Sequence, residues 1–266
     1  MSKSNSDSFT DIQTWLYQIT GIHLNDGKIS LVNSRLQKRM HELQVLELYE
    51  YVDIIKSSTQ EQQVAVNLLT TNETYFFREQ QHFDFLLEKI LPECKANEET
   101  CIWSAAASSG EESYTIALLA ASALGLQRKW SIFGTDVNTD VLRLAKRAVY
   151  PIQAAEKIPL PLRKQYCEKG KGNDIGWFRI KPEIRQRVSL KQHNLMHSLQ
   201  TQNKFHLVFL RNVLIYFEIE DKQRIVQNIL QQMHPGAWLL VGHSESITGY
   251  DPRIKQIKTA CYQYLP

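Results

Sequence analysis

The sequence predicts an α/β fold with a mostly parallel sheet, preceded by an all-α region and interrupted by a small antiparallel insertion. Three observations lead to this prediction. Apolar residues recur at helical spacing up to about residue 70. From Thr100 onward, short apolar runs alternate with amphipathic segments, as in a sheet whose parallel strands are joined by helices. A glycine-containing stretch from Tyr166 to Ile180 does not fit that alternation.

The all-α region begins with a helix indicated by Ile12, Leu16 and Ile19, which recur at helical spacing. Gly21 and the triplet Asn25-Asp26-Gly27 interrupt the pattern. The predicted helices that follow cover about Lys28–Leu43, Leu46–Ser57 and Gln60–Leu69. Together they predict a small helical domain that has no catalytic motif of its own.

The alternating region predicts strands and helices in turn. The predicted strands cover Cys101–Ala105, Trp130–Phe133, Val188–Gln192, Phe205–Leu210, Ala237–Val241 and Thr259–Tyr264. The predicted helices cover Glu111–Leu124, Thr139–Val149 and about Glu220–Met233. Gly125 closes the first of these helices, and the triplet His234-Pro235-Gly236 is predicted to form a turn. Such alternation favours a mostly parallel sheet with helices on both faces.

The stretch that breaks the alternation contains Gly170, Gly172 and Gly176 between short β-prone runs. Glycine turns between such runs are typical of antiparallel pairing, so we expect a small antiparallel insertion at about residues 161–187. The predicted division of the chain is a helical domain over residues 1–71 and an α/β domain over residues 72–266.

The composition is that of an ordinary globular protein, with 43% hydrophobic and 22% charged residues in a chain of 266. No apolar run approaches the roughly 20 residues of a membrane span. The Ser-rich start from Met1 to Ser8 lacks the apolar core of a secretory signal and predicts disorder. A net charge of +3 is too small to argue for nucleic acid. We therefore expect a cytoplasmic protein, monomeric by default, that neither inserts into membranes nor binds nucleic acid.

Cysteine and histidine spacing predicts no metal site. The four cysteines are far apart and form no paired metal or redox motif, which fits reduced thiols in the cytoplasm. His193 and His197 could share a helix face, but Asn194 and Leu195 between them are expected at the exit of a strand.

The stretch from Phe209 to Phe217 is the most informative one for function. A buried strand there ends on Arg211 and Asn212 and is followed by Tyr216. Ligands of open α/β sheets bind where strands end, so a strand that delivers these side chains predicts a binding site. The alternative, which these residues alone leave open, is that Arg211 and Asn212 merely begin a surface loop.

The turn from Ala105 to Gly110 consists of small residues, which would let a nucleotide-like cofactor come close to the backbone. Glu111 and Glu112 begin the next helix, where their carboxylates would repel a pyrophosphate. This disfavours NAD or ATP and favours a cofactor with a cationic centre and an amino-acid tail. The alternative role for both acids is to stabilise the helix N-terminus through its dipole.

Asp136 directly follows the second predicted strand. An acid at this position commonly accepts hydrogen bonds from ribose hydroxyls. The alternative is that Asp136 caps the helix beginning near Thr139, although Asn138 is better placed for that role.

The combination and order of several segments resemble the CheR-type family of S-adenosylmethionine-dependent chemoreceptor glutamate methyltransferases. These segments are Asn72–Glu79, Trp103–Tyr114, Gly134–Asn138, Phe209–Phe217 and Gly242–Glu245. The resemblance covers about residues 12–265. It implies a Rossmann-like class I methyltransferase domain that uses S-adenosylmethionine without a metal. It also implies methyl transfer to glutamate side-chain carboxylates, which gives methyl esters and S-adenosylhomocysteine.

The resemblance further implies which residues form the site. The implied cofactor-binding residues are Asn72, Thr74, Arg78, Glu112, Asp136, Asn194, Leu195, Arg211 and Asn212. Arg78 and Tyr216 are the candidates for orienting the target carboxylate and the sulfonium end of the cofactor. Ion pairing for Arg78 and core packing for Tyr216 remain the alternative roles, and Glu111 remains an alternative to Glu112.

The implied partner is the helical, acidic methylation region of a chemoreceptor. A basic helix face formed by Lys28, Arg35, Lys38 and Arg39 would complement it, with a solvated surface as the alternative. The antiparallel insertion resembles a β-subdomain that in some members docks a receptor C-terminal peptide by strand addition. The alternatives for function are a methyltransferase for another protein or a small molecule, a non-catalytic S-adenosylmethionine sensor, and a nicotinamide oxidoreductase.

Overall fold

The computed structural model describes residues 5–266, which begin with a bundle of helices. The helical bundle comprises α1 (Asn5–Thr20), α2 (Ile29–Glu42), α3 (Leu48–Ser57) and α4 (Thr59–Leu69). Its apolar side chains, among them Ile12, Leu16 and Leu36, are buried together, which confirms the predicted all-α region. The predicted disorder of Met1–Ser8 is wrong from Asn5 onward, because α1 begins there and buries Ser8; residues 1–4 lie outside the described part.

Two sheets follow the bundle, one of seven strands and one of three. The strands are β1 (Thr100–Ser104), β2 (Trp130–Asp136), β3 (Val149–Pro151), β4 (Cys167–Lys169), β5 (Trp177–Ile180), β6 (Val188–Gln192), β7 (Phe205–Leu210), β8 (Met233–Val241), β9 (Ile254–Lys258) and β10 (Cys261–Tyr264). The large sheet has the order β6-β2-β1-β7-β8-β10-β9, and the small sheet has the order β3-β5-β4.

The order of the large sheet contains a switch point. The strands from β6 to β8 pair in parallel, whereas β10 runs antiparallel to both of its neighbours. The chain moves outward from β1 to β2 and β6, and then returns to the other side of β1 with β7. The direction of winding therefore reverses between β1 and β7, and ligands of open α/β sheets bind at the carboxyl ends of strands beside such a point.

Helices cover both faces of the large sheet. They are α5 (Gln80–Phe85), α6 (Leu91–Glu93), α7 (Glu111–Leu124), α8 (Thr139–Arg147), α9 (Leu160–Tyr166), α10 (Pro182–Arg185) and α11 (Ile219–Leu230), with a π-helical turn at Leu86–Ile90 and 3-10 turns at Asp26–Lys28, Ile152–Lys157, Gly172–Asp174 and Leu214–Tyr216. Ile102 and Trp103 are neighbours on β1 but belong to separate apolar cores. Because adjacent strand residues point to opposite faces, the two cores lie on the two sides of the sheet, as predicted. No helix of the described chain combines the length and the apolar character needed to cross a bilayer.

The small sheet begins earlier than the insertion expected at residues 161–187. Its first strand, β3, pairs with β5 through Val149 opposite Arg179 and Tyr150 opposite Phe178. The predicted helix Thr139–Val149 is therefore too long, because Ala148 adopts a left-handed backbone (φ +52°) that ends α8. A strand of three residues has no apolar alternation that a sequence pattern can detect.

Other elements also differ from the prediction. The triplet His234-Pro235-Gly236 was predicted as a turn but lies inside β8. At this part of β8 the pairing register against β7 shifts, between Phe205 and Leu207. Such a bulge accommodates a proline, which cannot donate to the ladder. Strand β9 was not predicted, because its mostly exposed residues at the sheet edge place two isoleucines, Ile254 and Ile257, three apart among polar residues and so lack the alternation of a strand.

Candidate active site

A cavity of about 360 Å³ lies at the carboxyl ends of β1, β2 and β7, and the helical bundle forms its opposite wall. All the predicted cofactor-binding residues line it, namely Asn72, Thr74, Arg78, Glu112, Asp136, Asn194, Leu195, Arg211 and Asn212. Tyr216, Lys28 and Arg35 line it as well, whereas Lys38 and Arg39 do not. The switch point brings these residues together, because the chain leaves the paired strands β1 and β7 in opposite directions and a crevice forms between the two connections.

The first turn brings the backbone of β1 close to helix α7. Gly110 adopts a left-handed conformation (φ +97°), and a Cβ atom at this position would lie 2.9 Å from the Ala145 Cβ. Both the left-handed backbone and the close approach to Ala145 therefore require glycine at this position. Of the two acids that follow, Glu112 lines the cavity, whereas Glu111 accepts a hydrogen bond from Ser109 Oγ (2.6 Å) and does not line it.

Glu112 is held at the base of the cavity by two donors. Its carboxylate accepts hydrogen bonds from Ser104 Oγ (2.7 Å) and Arg211 Nη1 (2.9 Å). Burial raises the pKa of Glu112, and the positive charge of Arg211 acts in the opposite direction. A buried carboxylate whose negative charge is only partly neutralised by its neighbours attracts a further cation.

Asp136 stands at the end of β2 and is fixed by the backbone. Its two oxygens accept hydrogen bonds from the amides of Ser108 (2.8 Å) and Asn138 (2.9 Å). Burial raises the pKa of Asp136, while these amide hydrogen bonds lower it. The side chain of Asn138 caps α8, so the alternative role for Asp136 as that cap does not apply. A carboxylate has about four acceptor sites, and the two that remain here suit a pair of ribose hydroxyls.

Arg211 is almost completely buried and is surrounded by acceptors. Its Nη1 pairs with Glu112, and its Nη2 pairs with Glu79 Oε2 (3.0 Å) and also donates to the carbonyl of Arg78. Its guanidinium also lies over the rings of Phe83 and Phe209. The predicted role of Arg211 was cofactor contact. Its two Nη atoms donate three hydrogen bonds to protein acceptors, whereas its buried Nε has no hydrogen-bond partner in the described chain. Arg211 therefore supports the site from within, and its contact with the cofactor stays a prediction.

Glu79 is a site residue that sequence reasoning missed. It accepts hydrogen bonds from Asn212 Nδ2 (2.9 Å), from Arg211 and from the amide of His243 (3.3 Å). It therefore ties the segment after residue 72 to the ends of β7 and β8. Its only signal in the sequence is its place beside Arg78 in a recognised motif.

Arg78 and Tyr216 face the cavity from different segments. The guanidinium of Arg78 donates to the carbonyl of Glu73 (2.7 Å) and lies 5.8 Å from the ring centre of Tyr75. Within residues 5–266, Arg78 makes no ion pair with a carboxylate, so the ion-pair alternative does not apply. Tyr216 is half-buried, and its carbonyl accepts a hydrogen bond from the amide of His23 (2.9 Å), which anchors it to the bundle.

The predicted basic face of α2 divides into two pairs. Lys28 and Lys38 are exposed, whereas Arg35 and Arg39 are engaged inside the protein. Arg35 donates to the carbonyls of Leu69 (2.6 Å) and Thr70 (3.2 Å) at the end of α4. Arg39 forms a bidentate pair, at 2.9 and 2.6 Å, with the buried carboxylate of Glu61, which also accepts from the hydroxyl of Tyr51 (2.8 Å). The four cations therefore do not form one free surface.

One group in the described chain places three metal-ligating side chains together. These are Glu79, buried His82 and exposed His243, whose ligand atoms lie within 4.8 Å of one another. The histidine spacing gave no signal of this group, because His243 lies far in the sequence from Glu79 and His82. Arg211 already holds the carboxylate oxygen of Glu79 that lies nearest to His82. A dication would have to displace that guanidinium, so the trio carries no metal assignment.

The strand order, the switch point and the cavity carboxylates, one in the first turn of α7 and one at the end of β2, are those of the class I S-adenosylmethionine-dependent methyltransferases. Comparison with family models gives the particular family. Residues 72–263 match the CheR methyltransferase SAM-binding domain, and residues 7–70 match the CheR methyltransferase all-alpha domain. The chain belongs to the CheR methyltransferase family.

Several curated relatives match over nearly the whole chain. Identity is 34% over 258 residues to Chemotaxis protein methyltransferase 2 of Pseudomonas aeruginosa, which covers 96% of this chain and 92% of that protein. The Vibrio parahaemolyticus chemotaxis protein methyltransferase is 33% identical over 261 residues, covering 96% and 94%. The Escherichia coli protein of the same name is 33% identical over 249 residues, covering 92% and 86%. The predicted resemblance is confirmed, the protein is an S-adenosylmethionine-dependent methyltransferase, and the nicotinamide oxidoreductase alternative is wrong.

Proposed function

We propose that the protein methylates glutamate side-chain carboxylates of chemoreceptors, with S-adenosylmethionine as donor and S-adenosylhomocysteine as the second product. One observation carries the proposal: a single cavity joins the candidate cofactor residues of the sheet to a helical bundle that carries cationic side chains. The names of the relatives, chemotaxis protein methyltransferases, support the acceptor. Transfer of a labelled methyl group to a receptor fragment tests the proposal as a whole.

The cavity fits S-adenosylmethionine by the chemistry of its donors and acceptors. Asp136 keeps acceptor capacity for ribose hydroxyls, and Glu112 offers a buried carboxylate to the ammonium of an amino-acid tail. In this proposal Asn194 and Leu195 lie by the adenine, and Asn72 and Thr74 contact the cofactor from another part of the cavity lining. When bound, the cofactor supplies an electrophilic methyl group on a sulfonium ion.

The acceptor needs little activation from the protein. A glutamate carboxylate is already ionised near neutral pH, so the proposal includes neither a general base nor a metal. The protein must align the carboxylate oxygen with the methyl group and exclude water from the cavity. In this proposal Arg78, whose guanidinium lines the cavity without an ion pair to a carboxylate, orients the incoming carboxylate, and Tyr216 helps to position the sulfonium end of the cofactor.

The receptor is recognised by the helical bundle, in this proposal over residues 1–71, while residues 72–266 form the catalytic domain. The cytoplasmic, acidic helices of a receptor dock against two exposed cations, Lys38 on α2 and Lys28 directly before it, while Arg35 and Arg39 support that helix from within. A receptor C-terminal peptide adds to an edge of the small sheet, where β3 and β4 are the outer strands. The enzyme acts as a monomer in the cytoplasm, which fits its four free cysteines.

Reversing the charge at Lys38 tests the docking surface. We expect Lys38→Glu to raise the KM for a receptor fragment by about three- to tenfold at low ionic strength, and less at high salt, because rim charges act through screened attraction. Affinity for S-adenosylmethionine, measured by calorimetry, should not change, since Lys38 lies outside the cavity. The matched control is Lys146→Glu on α8, an exposed lysine that gives the same change in net charge. Equal KM values for the two variants would contradict the assignment of α2.

A further inference from the structure

We propose that Glu79 is a positioning residue that keeps Glu112 available to the cationic end of the cofactor. The inference rests on the proposed function, in which Glu112 faces the ammonium of S-adenosylmethionine. Glu79 does not line the cavity, so its effect must pass through the residues that it holds.

Glu79 joins three segments that converge below the cavity. Its Oε1 accepts from Asn212 Nδ2 (2.9 Å), and its Oε2 accepts from Arg211 Nη2 (3.0 Å) and the amide of His243 (3.3 Å). Arg211 and Asn212 directly follow β7, and His243 follows β8. One carboxylate therefore sets the position of the two residues that stand between it and the cofactor site.

The backbone at both ends of this contact is strained. Glu79 has φ +58° and Asn212 has φ +55°, and neither is a glycine. Residues without glycine's freedom hold such conformations where the surrounding contacts over-determine them, and they cluster at functional sites. The hydrogen bond from the Asn212 side chain to Glu79 joins the two strained residues directly.

The charges explain what this arrangement does. Arg211 lies between two carboxylates, with Nη2 on Glu79 and Nη1 on Glu112 at 2.9 Å. Burial raises the pKa of Glu79, but the nearby His82 ring, the hydrogen bond from Asn212 and the charge of Arg211 outweigh it, so the pKa is lowered and Glu79 stays ionised. One cation shared by two anions leaves a net negative charge for the ammonium. Without the charge of Glu79, Arg211 would neutralise Glu112 alone, and the attraction for a cationic ligand would fall.

The test measures whether Glu79 and the ligand's ammonium group are coupled. Two ligands are titrated by calorimetry into the full-length protein: S-adenosylhomocysteine, and its analogue in which hydrogen replaces the α-ammonium group. The wild type should bind the first more tightly. In Glu79→Gln, which keeps the shape and the acceptor for Asn212, the ratio of the two dissociation constants should shrink by about tenfold, a coupling of about 1.4 kcal/mol. Glu88→Gln, an exposed glutamate in the following turn, is the matched control.

Two further results make the test decisive. If Glu79 had a merely structural role, Glu79→Gln would weaken the binding of both ligands by the same factor. An unchanged ratio of the two dissociation constants in Glu79→Gln would therefore overturn the inference. Glu79→Asp keeps the charge while shortening the side chain, so its ratio of dissociation constants should match that of the wild type. A ratio near one in Glu79→Asp would overturn the charge argument, and this result can be obtained even if Glu79→Gln does not fold. A wild type that binds neither ligand, or binds both equally, would overturn the proposed function together with this inference.

Discussion

Replacing Asp136 with alanine is expected to weaken S-adenosylmethionine binding by about 100-fold or more. Two hydrogen bonds from ribose hydroxyls to a carboxylate contribute about 1.5–3 kcal/mol each, and every 1.4 kcal/mol changes affinity tenfold. The geometry supports this role, because the amides of Ser108 and Asn138 fix the carboxylate and leave acceptor sites toward the cavity. Titration calorimetry with the purified variant gives the affinity directly.

The control separates binding from folding. Asp140→Ala removes an exposed carboxylate in the first turn of α8, close in sequence but outside the cavity, and should leave cofactor affinity unchanged. The melting temperature of each ligand-free variant shows whether the fold is retained. A folded Asp136→Ala variant with wild-type affinity would remove Asp136 from the ribose site.

Replacing Arg211 with methionine is expected to lower the free energy of unfolding by about 3–5 kcal/mol, because the change leaves buried carboxylates without their cation. Glu79 and Glu112 both depend on this guanidinium, which is itself nearly inaccessible to solvent. Methionine keeps much of the side-chain volume, so the loss reports charge rather than a cavity. Denaturant unfolding of the ligand-free protein measures the change.

Arg143→Met provides the comparison for Arg211. Arg143 pairs with Asp140 on the exposed surface of α8, where the loss of an ion pair changes stability by about 0.5 kcal/mol or less. If Arg211→Met costs no more than this control, the guanidinium does not support the site from within. Direct contact with the cofactor would then be the better account of Arg211.

Burial and apolar patterning made much of the fold predictable. The predicted bounds of β6, β7 and α7 coincide with the structure, because each is an apolar or amphipathic run with clear breaks on either side. The switch point then places the ends of the strands together, so residues such as Asp136 and Arg211 could be assigned to one site from the sequence. The apolar pattern of the sequence thus predicts the elements, and the order of the strands explains why residues at their ends meet in one site.

Pairings across long sequence distances were not predictable in the same way. The bidentate pair of Arg39 with Glu61 links two helices, and nothing in the helical pattern of α2 distinguishes this arginine from exposed Lys38. Glu79 lies 132 residues before Arg211, and only the folded sheet brings the two side chains into contact. The surface assigned to the receptor and the support of the cofactor site therefore both required the structure.

Transfer of labelled methyl from S-adenosylmethionine to a chemoreceptor cytoplasmic fragment tests the central claim most directly. The fragment is incubated with the enzyme and then treated with mild alkali, which hydrolyses carboxyl methyl esters but leaves methyl groups on nitrogen in place. We expect label on the receptor that alkali releases as methanol, and no label when the target glutamates are replaced by alanine. Absence of transfer to several receptors by a protein that binds S-adenosylmethionine, or label that resists alkali, would contradict glutamate methylation.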